Sequence, residues 1–574
     1  MHPVVERRWT IKDADETAVG QLCRDTGVAR AVATVLANRG YADQAAASAF
    51  LEPSLSGLHD PFLLAGMAAA VDRLVTARKQ GDQVCIYGDY DVDGVTSTVL
   101  LMDFFRRVGI RCSYHIPHRM DEGYGLSCDG LAMVAKGGAR VVVSVDCGIT
   151  AVEEALWCAG NGLDLIITDH HMPGPEIPAA LAVVNPLQPG CAAPFRQLAG
   201  VGLAFKLVVA LRARLRNEGA FANGGEPNLR EYLDLVALGT IADLVPLVGE
   251  NRIIASYGLK EMTSSRRVGI SALKEVAGVT GQVTCGAVGF RLAPRLNAAG
   301  RLDDAARGVE LLLTDDPARA RELAAELDAG NRERQELEQE ILRDALAMVR
   351  NDPAMKGRRS IVLASPDWHP GVIGIVASRI VELYHRPTVL IALRDGNGKG
   401  SGRSIPAFHL RDALAACTDH LLKFGGHRQA AGLAIDEATL AAFVDSFDEV
   451  AAGQLTPDDL MPELTLEGVL EPAEISEQLV RQLERLAPFG IGNPEPLFLL
   501  RGVRVESRRE LKGGHLRLAL RHGGHSLTAI GFNMSGHPAT AEVLDLACSP
   551  QLNEWQGRTT VQLKIRDIKA GTGL

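Results

Sequence analysis

Between residues 60 and 310, short apolar runs alternate with segments that have the spacing of amphipathic helices, such as Thr96–Val108. Strands that alternate with helices build a parallel sheet, because each helix carries the chain back across a face of the sheet. The predicted strands are Val84–Tyr87, Ser113–Ile116, Val141–Val145, Leu165–Thr168 and Ala182–Asn185. The alternation predicts an α/β domain that binds its ligands beyond the carboxyl ends of the strands.

Three aspartates follow the first predicted strand at alternate positions, Asp89, Asp91 and Asp93. Carboxylates this close repel one another unless a cation neutralises them, and Mg²⁺ and Mn²⁺ prefer oxygen ligands. The alternatives are a solvated acidic turn and a calcium loop. An EF-hand calcium loop needs a preceding helix, and a glutamate where this chain has Leu100. The pattern therefore favours a catalytic divalent metal.

Further candidate ligands follow other apolar segments. Asp146 follows Val141–Val145, the run Asp169–His171 follows Leu165–Thr168, and Asp243 follows an apolar helical run. Taken singly, these residues could be a helix cap, a hydrogen-bonded turn and a loop carboxylate. Together they suit two ions about 3.5–4 Å apart, bridged by one carboxylate, which is an arrangement that hydrolyses phosphoesters.

The remaining chain divides by composition and pattern. The N-terminal segment is alanine-rich and helix-prone, and we expect it to pack on the domain that follows it. The densely charged residues 317–350 predict one long helix, which either bridges two domains or lies on the surface of one. The predicted domains are a helical N-terminal extension (1–55), a catalytic domain (56–315), a connecting helix (316–350), a smaller α/β domain (351–455) and a β-barrel domain (456–574).

The two C-terminal domains have their own patterns. Residues 501–574 contain eleven basic and six acidic residues, a net charge of +5, and glycine turns separate their strand-like runs. This composition predicts a small basic β-barrel. The smaller α/β domain has predicted helices at 372–384 and 409–423. The predicted strands of both domains are Ile361–Ala364, Thr388–Leu393, Gly432–Ile435, Leu516–Leu520, Leu527–Phe532 and Thr560–Ile565.

Composition excludes several classes of protein. No stretch of about 18 apolar residues is present, and the first twenty residues lack the apolar region of a secretory signal. The ten cysteines form no Cys-x-x-Cys pair, which argues against a zinc site or a disulfide framework and favours the cytoplasm. The net charge of −10 argues against a surface coated with positive charge for duplex DNA.

The four metal motifs, taken in order, resemble those of the DHH phosphoesterase superfamily, which is named for the run found here at Asp169–His171. The smaller α/β domain looks like the DHHA1 domain of that superfamily. Among the members of the superfamily, the chain is most similar to bacterial exonucleases that degrade single-stranded DNA from 5′ to 3′. The motifs that carry this resemblance are Ile116–Leu126, Pro294–Arg301, Trp368–Arg379, Gly400–Ser404, Gly425–Gly432 and Ala487–Pro496.

The resemblance implies two metal ions, Mn²⁺ or Mg²⁺, and a set of ligands. It assigns one ion to Asp89, Asp91 and Asp146. It assigns the other to Asp93, Asp146, His170 and Asp243, with Asp146 bridging. His171 would contact the scissile phosphate, and His427 would reach the active site across the cleft between the α/β domains.

The resemblance also implies residues that bind the substrate. Ser401, Arg403 and Ser404 would hold the 5′ end of the strand, with Arg119 as a second candidate for that role. Gly426 and His427 would contact the substrate, Arg295 and Arg301 would line the channel, and Phe532 and Trp555 are among the few aromatics of the OB-like barrel. The alternatives are a solvated arginine on a turn, a loop histidine bonded to backbone, and arginines paired with acids such as Asp303 and Asp304.

The predicted function is therefore a two-metal exonuclease acting on single-stranded DNA from 5′ to 3′ in recombination and repair. It would be a cytoplasmic monomer with no membrane contact, working with a helicase and a single-strand-binding protein. One alternative is a DHH phosphoesterase for short oligonucleotides or cyclic dinucleotides, against which residues 456–574 and the long helix argue. The other is a non-catalytic scaffold that has lost its metal ligands, against which the intact Asp and His set argues.

Overall fold

The computed structural model describes residues 6–118, 125–302, 304–537, 541–555 and 557–571. The chain forms two compact units. The parallel-sheet unit contains Ala49–Arg332 and Leu486–Glu495, and the barrel unit contains the residues up to Ser48, Glu333–Arg485 and the chain from Pro496 onward. Among the described residues, no helix is both long enough and apolar enough to cross a membrane.

The strands of the described chain vary from short edge pieces to the long strands of the barrel. They are β1 (Arg8–Ile11), β2 (Gln83–Tyr87), β3 (Cys112–His115), β4 (Ala139–Val145), β5 (Asp164–Thr168), β6 (Ala182–Val184), β7 (Ile361–Ser365), β8 (Thr388–Arg394), β9 (Asn397–Arg403), β10 (Lys423–Gly426), β11 (Ala430–Asp436), β12 (Glu463–Leu466), β13 (Gly468–Val469), β14 (Phe498–Leu511), β15 (His515–His522), β16 (His525–Gly531), β17 (Val543–Trp555) and β18 (Arg558–Ala570).

The α-helices range from a single turn to one helix of 35 residues. They are α1 (Glu16–Thr26), α2 (Arg30–Asn38), α3 (Gln44–Leu51), α4 (Met67–Gln80), α5 (Val92–Arg107), α6 (Cys128–Lys136), α7 (Val152–Gly160), α8 (Gly200–Asn217), α9 (Leu233–Ala242), α10 (Gly249–Thr263), α11 (Val268–Val276), α12 (Cys285–Ala287), α13 (Ala293–Leu302), α14 (Ala306–Leu313), α15 (Pro317–Asn351), α16 (Ile373–Tyr384), α17 (Leu410–Ala416), α18 (Leu440–Gln454) and α19 (Glu477–Glu484).

The sheet of the parallel-sheet unit has the strand order β3-β2-β4-β5-β6, and every neighbouring pair is parallel. This confirms the predicted α/β architecture and its five strands. Strands β2, β4 and β5, which precede the candidate ligands, are direct neighbours, so their carboxyl ends meet at one edge. The crossover order reverses between β2 and β4, which is where open α/β sheets bind ligands.

Helix α5 begins at Val92, four residues before the predicted start at Thr96. The cause is Asp91, whose Oδ1 accepts hydrogen bonds from the backbone N–H of Asp93 (2.9 Å) and of Gly94 (3.1 Å). A side chain that satisfies the first free N–H groups of a helix fixes where that helix starts. The helix cap is therefore formed by a candidate metal ligand.

The barrel unit contains a mixed sheet and a closed barrel. The mixed sheet has the order β10-β11-β9-β8-β7. In the barrel, β14 pairs with both β15 and β17, and β18 pairs with both β16 and β17, so the ring of five strands closes without an open edge. Both the smaller α/β domain and the predicted OB-like barrel are confirmed.

The helix predicted at 409–423 is shorter than expected. Helix α17 ends at Ala416, and from Lys423 the chain joins the sheet as β10, paired with β11. Hydrogen bonds to a neighbouring strand replace those within a helix here, a tertiary effect that local spacing does not record. The long helix α15, in contrast, runs from Pro317 to Asn351, as predicted.

The expectation that the N-terminal segment packs on the following domain was wrong for residues 6–48, which belong to the barrel unit. Strand β1 pairs in parallel with β12, and the Trp9 indole N–H donates to Asp567 Oδ2 at 2.8 Å. Buried Glu467 accepts hydrogen bonds from Lys12, Asn38 and Arg39. A strand needs partners for its backbone groups, and β12 supplies them.

Candidate metal centre

Two groups of ligand atoms meet at the carboxyl edge of the parallel sheet. One consists of Asp89, Asp91 and Asp146, and the other of Asp93, His170 and Asp243; within each group the ligand atoms lie within 4.8 Å of one another. The chain also brings His171 within that distance of Asp146 and His170. The residues predicted from four separate sequence motifs thus converge on one place.

His170 lies at the middle of the second group. Its Nε2 is 3.1 Å from Asp146 Oδ1, 3.5 Å from Asp243 Oδ2 and 3.9 Å from Asp93 Oδ2. Burial, together with the neighbouring charge of His171, lowers the pKa of His170 to about 4. The ring is therefore neutral at pH 7, which is the form that binds a metal.

The adjacent histidine has the opposite character. Burial alone would lower the pKa of His171, but a hydrogen bond and the charge of Asp169 overcome it and raise the pKa to about 9. Asp169 Oδ1 accepts from His171 Nδ1 (2.7 Å) and from its backbone N–H (3.0 Å), while Oδ2 accepts from the Ile149 N–H (2.9 Å). His171 is therefore a cation at neutral pH, and the two hydrogen bonds to Asp169 hold it in one orientation.

Buried carboxylates at the centre raise one another's pKa. Burial and the charge of Asp91 raise the pKa of Asp93 to about 7. Burial and the charge of Asp93 raise the pKa of Asp243 to about 9, and the same two effects raise that of Asp146 well above its usual value. The raised pKa values show that the ionised carboxylates destabilise one another in this buried place, and bound cations would stabilise their ionised forms.

Two backbone N–H groups at the start of α8 hold Asp93. Gly200 donates to its Oδ2 at 2.6 Å and Val201 to its Oδ1 at 2.7 Å. The positive end of a helix dipole favours an anion at this position. Asp93 is 1% exposed, so these bonds also offset the cost of burying its charge.

Asp146 occupies a tight position at the end of β4. Its φ is +62°, a left-handed conformation that non-glycine residues adopt rarely and mostly where function requires it. A Cβ atom added to Gly200 would come within 2.8 Å of Asp146 Oδ1, so only glycine leaves room for this carboxylate. The close approach places Asp146 next to both groups of ligands.

Two residues of the motif Pro294–Arg301 support the aspartate loop. Asn297 Oδ1 accepts a hydrogen bond from the Val92 N–H at 3.1 Å, and a Cβ on Gly300 would come within 2.5 Å of the Tyr90 carbonyl oxygen. Sequence reasoning assigned neither residue a role. A conserved spacing cannot be seen in one sequence, and the asparagine carries no local signal of its distant partner.

The donor set fits divalent metal ions. Among the described residues, His170 Nε2 and Asp243 Oδ2 are buried and make no hydrogen bond. Carboxylate oxygens with a single imidazole suit Mn²⁺ and Mg²⁺ better than soft metals. No cysteine thiol belongs to any candidate ligand group within the described chain.

The predicted 5′-end residues lie together in the barrel unit. Arg403 ends β9, and its guanidinium donates to the Gly402 carbonyl (2.8 Å) and to Ser401 Oγ (3.2 Å). A Cβ on Gly374, in the first turn of α16, would come within 2.8 Å of Ser401 Oγ and 3.1 Å of an Arg403 nitrogen. Arg403 and Ser401 therefore lie over a helix N-terminus, a favourable place for a phosphate. The Ser404 hydroxyl instead donates to the Phe408 carbonyl.

The other predicted residues are placed as follows. His427 is exposed in the turn between β10 and β11, next to Gly426. Its backbone N–H donates to the Ala430 carbonyl at 2.8 Å. Arg295 pairs with buried Asp328 at 2.8 Å, which is the ion-pairing alternative with another partner, and Asp303 lies outside the described residues. Arg301 is half-buried on α13, and Phe532 is 48% exposed. Arg119 and the side chain of Trp555 lie outside the described residues.

A doubly wound parallel sheet that brings Asp and His ligands to one edge, followed by a smaller α/β domain, defines a DHH phosphoesterase. Family models match in the same order: the N-terminal domain of the DHH family at residues 83–240, the DHHA1 domain at 357–453 and the RecJ OB domain at 466–567.

Comparison over the full length narrows this class. The chain is 40% identical to the single-stranded-DNA-specific exonuclease RecJ of Salmonella typhimurium, covering 98% of this chain and 99% of that protein. It is 37% identical to RecJ of Bacillus subtilis, covering 98% and 70%. The crystal structure of Thermus thermophilus RecJ with Mn²⁺ superposes with a TM-score of 0.85 at 35% identity, covering 99% of this chain and 80% of that one. The chain belongs to the RecJ family of single-stranded-DNA-specific exonucleases, which confirms the resemblance.

Proposed function

We propose that this protein is a two-metal exonuclease that hydrolyses single-stranded DNA from its 5′ end and serves recombination and repair. The observation that carries the proposal is the pair of ligand groups around Asp146, one with Asp89 and Asp91 and the other with Asp93, His170 and Asp243. Thermus thermophilus RecJ has been solved with Mn²⁺ and with Mg²⁺, and either ion suits these ligands.

Two divalent cations, when bound, would lower the pKa of a water molecule and neutralise charge on the phosphate. The residues of the chain supply the rest. Asp146 is adjacent to both groups of ligands and is the candidate bridge. Protonated His171, held by Asp169, donates a hydrogen bond to a phosphate oxygen and offsets the charge that develops there. Neutral His170 serves as a ligand.

Strand polarity in this proposal depends on the barrel unit. Arg403 and Ser401, over the start of α16, would bind the phosphate at the 5′ end. His427, in the exposed turn of the same sheet, would assist the reaction, and Arg119, Arg295 and Arg301 would contact the strand. The basic barrel would bind the strand further along, chiefly through its phosphates.

We further propose a cytoplasmic monomer that works with a helicase and a single-strand-binding protein. The reason for the helicase is chemical, since a nuclease specific for single strands needs an enzyme that separates the strands of duplex DNA. Light scattering of the purified protein should give the mass of one chain, 61.3 kDa.

The proposed activity is tested with single strands labelled at either end and incubated with Mn²⁺, Mg²⁺ or EDTA. We expect the 5′ label to be released first, with either metal and not with EDTA. The Asp146→Ala variant should retain its circular dichroism spectrum and lose hydrolysis. Release of the 3′ label first would contradict the polarity, and an active Asp146→Ala protein would contradict the two-metal site.

The 5′-end assignment has its own test. Arg403→Ala should reduce the preference for a 5′-phosphate over a 5′-hydroxyl by about tenfold or more, because hydrogen bonds to a charged group contribute about 1.5–3 kcal/mol. Arg411→Ala removes an exposed arginine at the start of α17 and is the matched control. If both variants keep the same preference as the parent, Arg403 does not bind the 5′ end.

A further inference from the structure

One motif of the sequence has no role in the site described so far, the segment Ala487–Pro496. In the structure, Leu486–Glu495 belongs to the parallel-sheet unit, although the residues before and after it, in α19 and β14, belong to the barrel unit. We call Leu486–Glu495 the 486–495 strap. A C-terminal segment of the sequence thus forms part of the unit that contains the metal centre.

The strap lies against the chain that leaves Asp243. The Leu247 N–H donates to the Ile491 carbonyl at 2.7 Å. A Cβ on Gly490 would come within 2.7 Å of Leu247 Cδ1, and a Cβ on Gly492 within 2.9 Å of Pro246 Cβ. The two glycines therefore allow the strap to touch Pro246 and Leu247, three and four residues after a candidate metal ligand.

The strap is itself held rigidly. Asn493 is fully buried, and its side-chain amide donates to the carbonyls of Leu486 (2.9 Å) and Pro488 (2.8 Å). Backbone hydrogen bonds link Gly490 and Asn493 in both directions. Buried Arg252 donates to the Leu486 carbonyl at 2.8 Å. A loop with this many internal and anchoring bonds can hold its neighbour in place.

The chain after Asp243 is held on its other side as well. The Asn251 side chain donates to the Pro246 carbonyl at 3.0 Å, and the Asp243 N–H closes the last turn of α9 by donating to Gly239. Between these bonds, Leu244 has a φ of +62° although it is 66% exposed. Such a conformation in a non-glycine residue persists where its surroundings impose it.

We infer that the 486–495 strap is a positioning element for Asp243, acting through Pro246 and Leu247. The strap fixes the backbone just beyond the ligand and so sets how well the group of Asp93, His170 and Asp243 binds its ion. The inference rests on the proposed metal centre. Partners that orient a metal ligand typically contribute about 10–100-fold to metal affinity or activity.

The test is Gly492→Ala in the full-length protein. The new methyl group would meet Pro246, and the backbone φ of +72° would be strained. Gly219→Ala is the matched control, because Gly219 has a φ of +76° in the same unit but open space around its Cβ position. The two variants thus share the backbone strain and differ in the contact with the chain that follows Asp243.

The readout is the binding of Mn²⁺ to the metal-free protein, which is measured by the decrease in the electron paramagnetic resonance signal of free Mn²⁺. We expect Gly492→Ala to weaken one of two Mn²⁺ sites about tenfold and to leave the other unchanged. Gly219→Ala should leave both sites unchanged. Gly490→Ala, whose methyl group meets only the end of the Leu247 side chain, is a milder second variant and should weaken the same site.

Two results would overturn the inference: unchanged affinity at both sites in the strap variants, or equal weakening at both sites, which indicates general loosening. If the parent protein binds fewer than two Mn²⁺ ions, the proposed metal centre fails instead. The thermal transition of each variant separates lost stability from lost affinity, because the control carries the same backbone strain.

Discussion

At the scale of single residues, the two neighbouring histidines illustrate how environment separates identical side chains. His170 points among carboxylates and has its pKa lowered to about 4, whereas His171 is bonded to Asp169 and has its pKa raised to about 9. The sequence run Asp169–His171 predicts that one histidine is a ligand and the other faces the substrate. The pKa difference depends on hydrogen bonds and burial, which local sequence does not contain.

Asp169→Asn should lower the pKa of His171, because it removes the negative charge that stabilises the imidazolium. In the folded protein the pKa of His171, about 9, lies above the ordinary histidine value of 6.5. The stability contributed by the protonated pair is therefore complete below about pH 6.5 and lost as the pH rises through about 9. We expect the rate of hydrolysis by the variant to fall about 10–100-fold at pH 8 and by a smaller factor at pH 6.

The measurement is the pH–rate profile of parent and variant at saturating Mn²⁺. Asp164→Asn is the control, since Asp164 begins β5, the strand that ends just before Asp169, and pairs with Arg73. Parallel profiles for Asp169→Asn and the parent would show that Asp169 does not set the protonation of His171.

At the scale of elements, the metal centre is built by strand ends and by helix starts. The strands β2, β4 and β5 were predicted from apolar runs, and they deliver Asp89, Asp146 and the Asp169–His171 run to one edge. The start of α8 was not predicted, although its N–H groups bind Asp93. Its signal, glycine at positions 200 and 202, is weak because glycines occur in many turns.

Gly200→Ala should disrupt the metal centre while leaving the helix intact. Alanine is a better helix former than glycine, but the new methyl group would lie 2.8 Å from Asp146 Oδ1. We expect activity to fall by about 100-fold, as for an ångström-scale misplacement of a catalytic group. The measurement is hydrolysis of single-stranded DNA over a range of Mn²⁺ concentrations.

Gly202→Ala is the control on the same helix, because its methyl group would meet only the Leu198 side chain, at 3.2 Å. Its activity should stay close to that of the parent. Normal metal dependence in Gly200→Ala would mean that Asp146 does not need the space at position 200.

At the scale of the whole molecule, the two units consist of segments that are not contiguous in sequence. The barrel unit includes the N-terminal strand β1, and the parallel-sheet unit includes the 486–495 strap. The predicted domain order follows the chain, so it does not capture these exchanges. Bound metal should affect mainly the parallel-sheet unit, where the acidic residues of the centre lie.

Without metal, the parallel-sheet unit should lose stability as the pH rises from 6.5 to about 9. The pKa of Asp93, about 7, and that of Asp243, about 9, exceed the ordinary value of about 3.9 for an unfolded chain. The folded state therefore binds more protons in this range, and the free energy of unfolding falls with pH. His171 acts in the same direction.

Mn²⁺ should reverse this loss, so its effect on the thermal transition should be larger at pH 8.5 than at pH 6.5. Scanning calorimetry in EDTA and in Mn²⁺ at both values measures it, and Asp146→Ala should lose most of the response to Mn²⁺. A transition in EDTA that rises with pH would contradict the raised pKa values of the carboxyl groups.

The sequence alone determined the parallel sheet, its strands, the long helix, the barrel and the residue types of the metal centre. These features follow from spacing between near neighbours, since a strand or helix repeats its apolar pattern every few residues. Only the tertiary structure decided that Gly200 and Val201 hold Asp93, that Asp169 charges His171, and that Ile491 lies against the chain after Asp243. These contacts join residues far apart in sequence, and packing of the whole unit places them together.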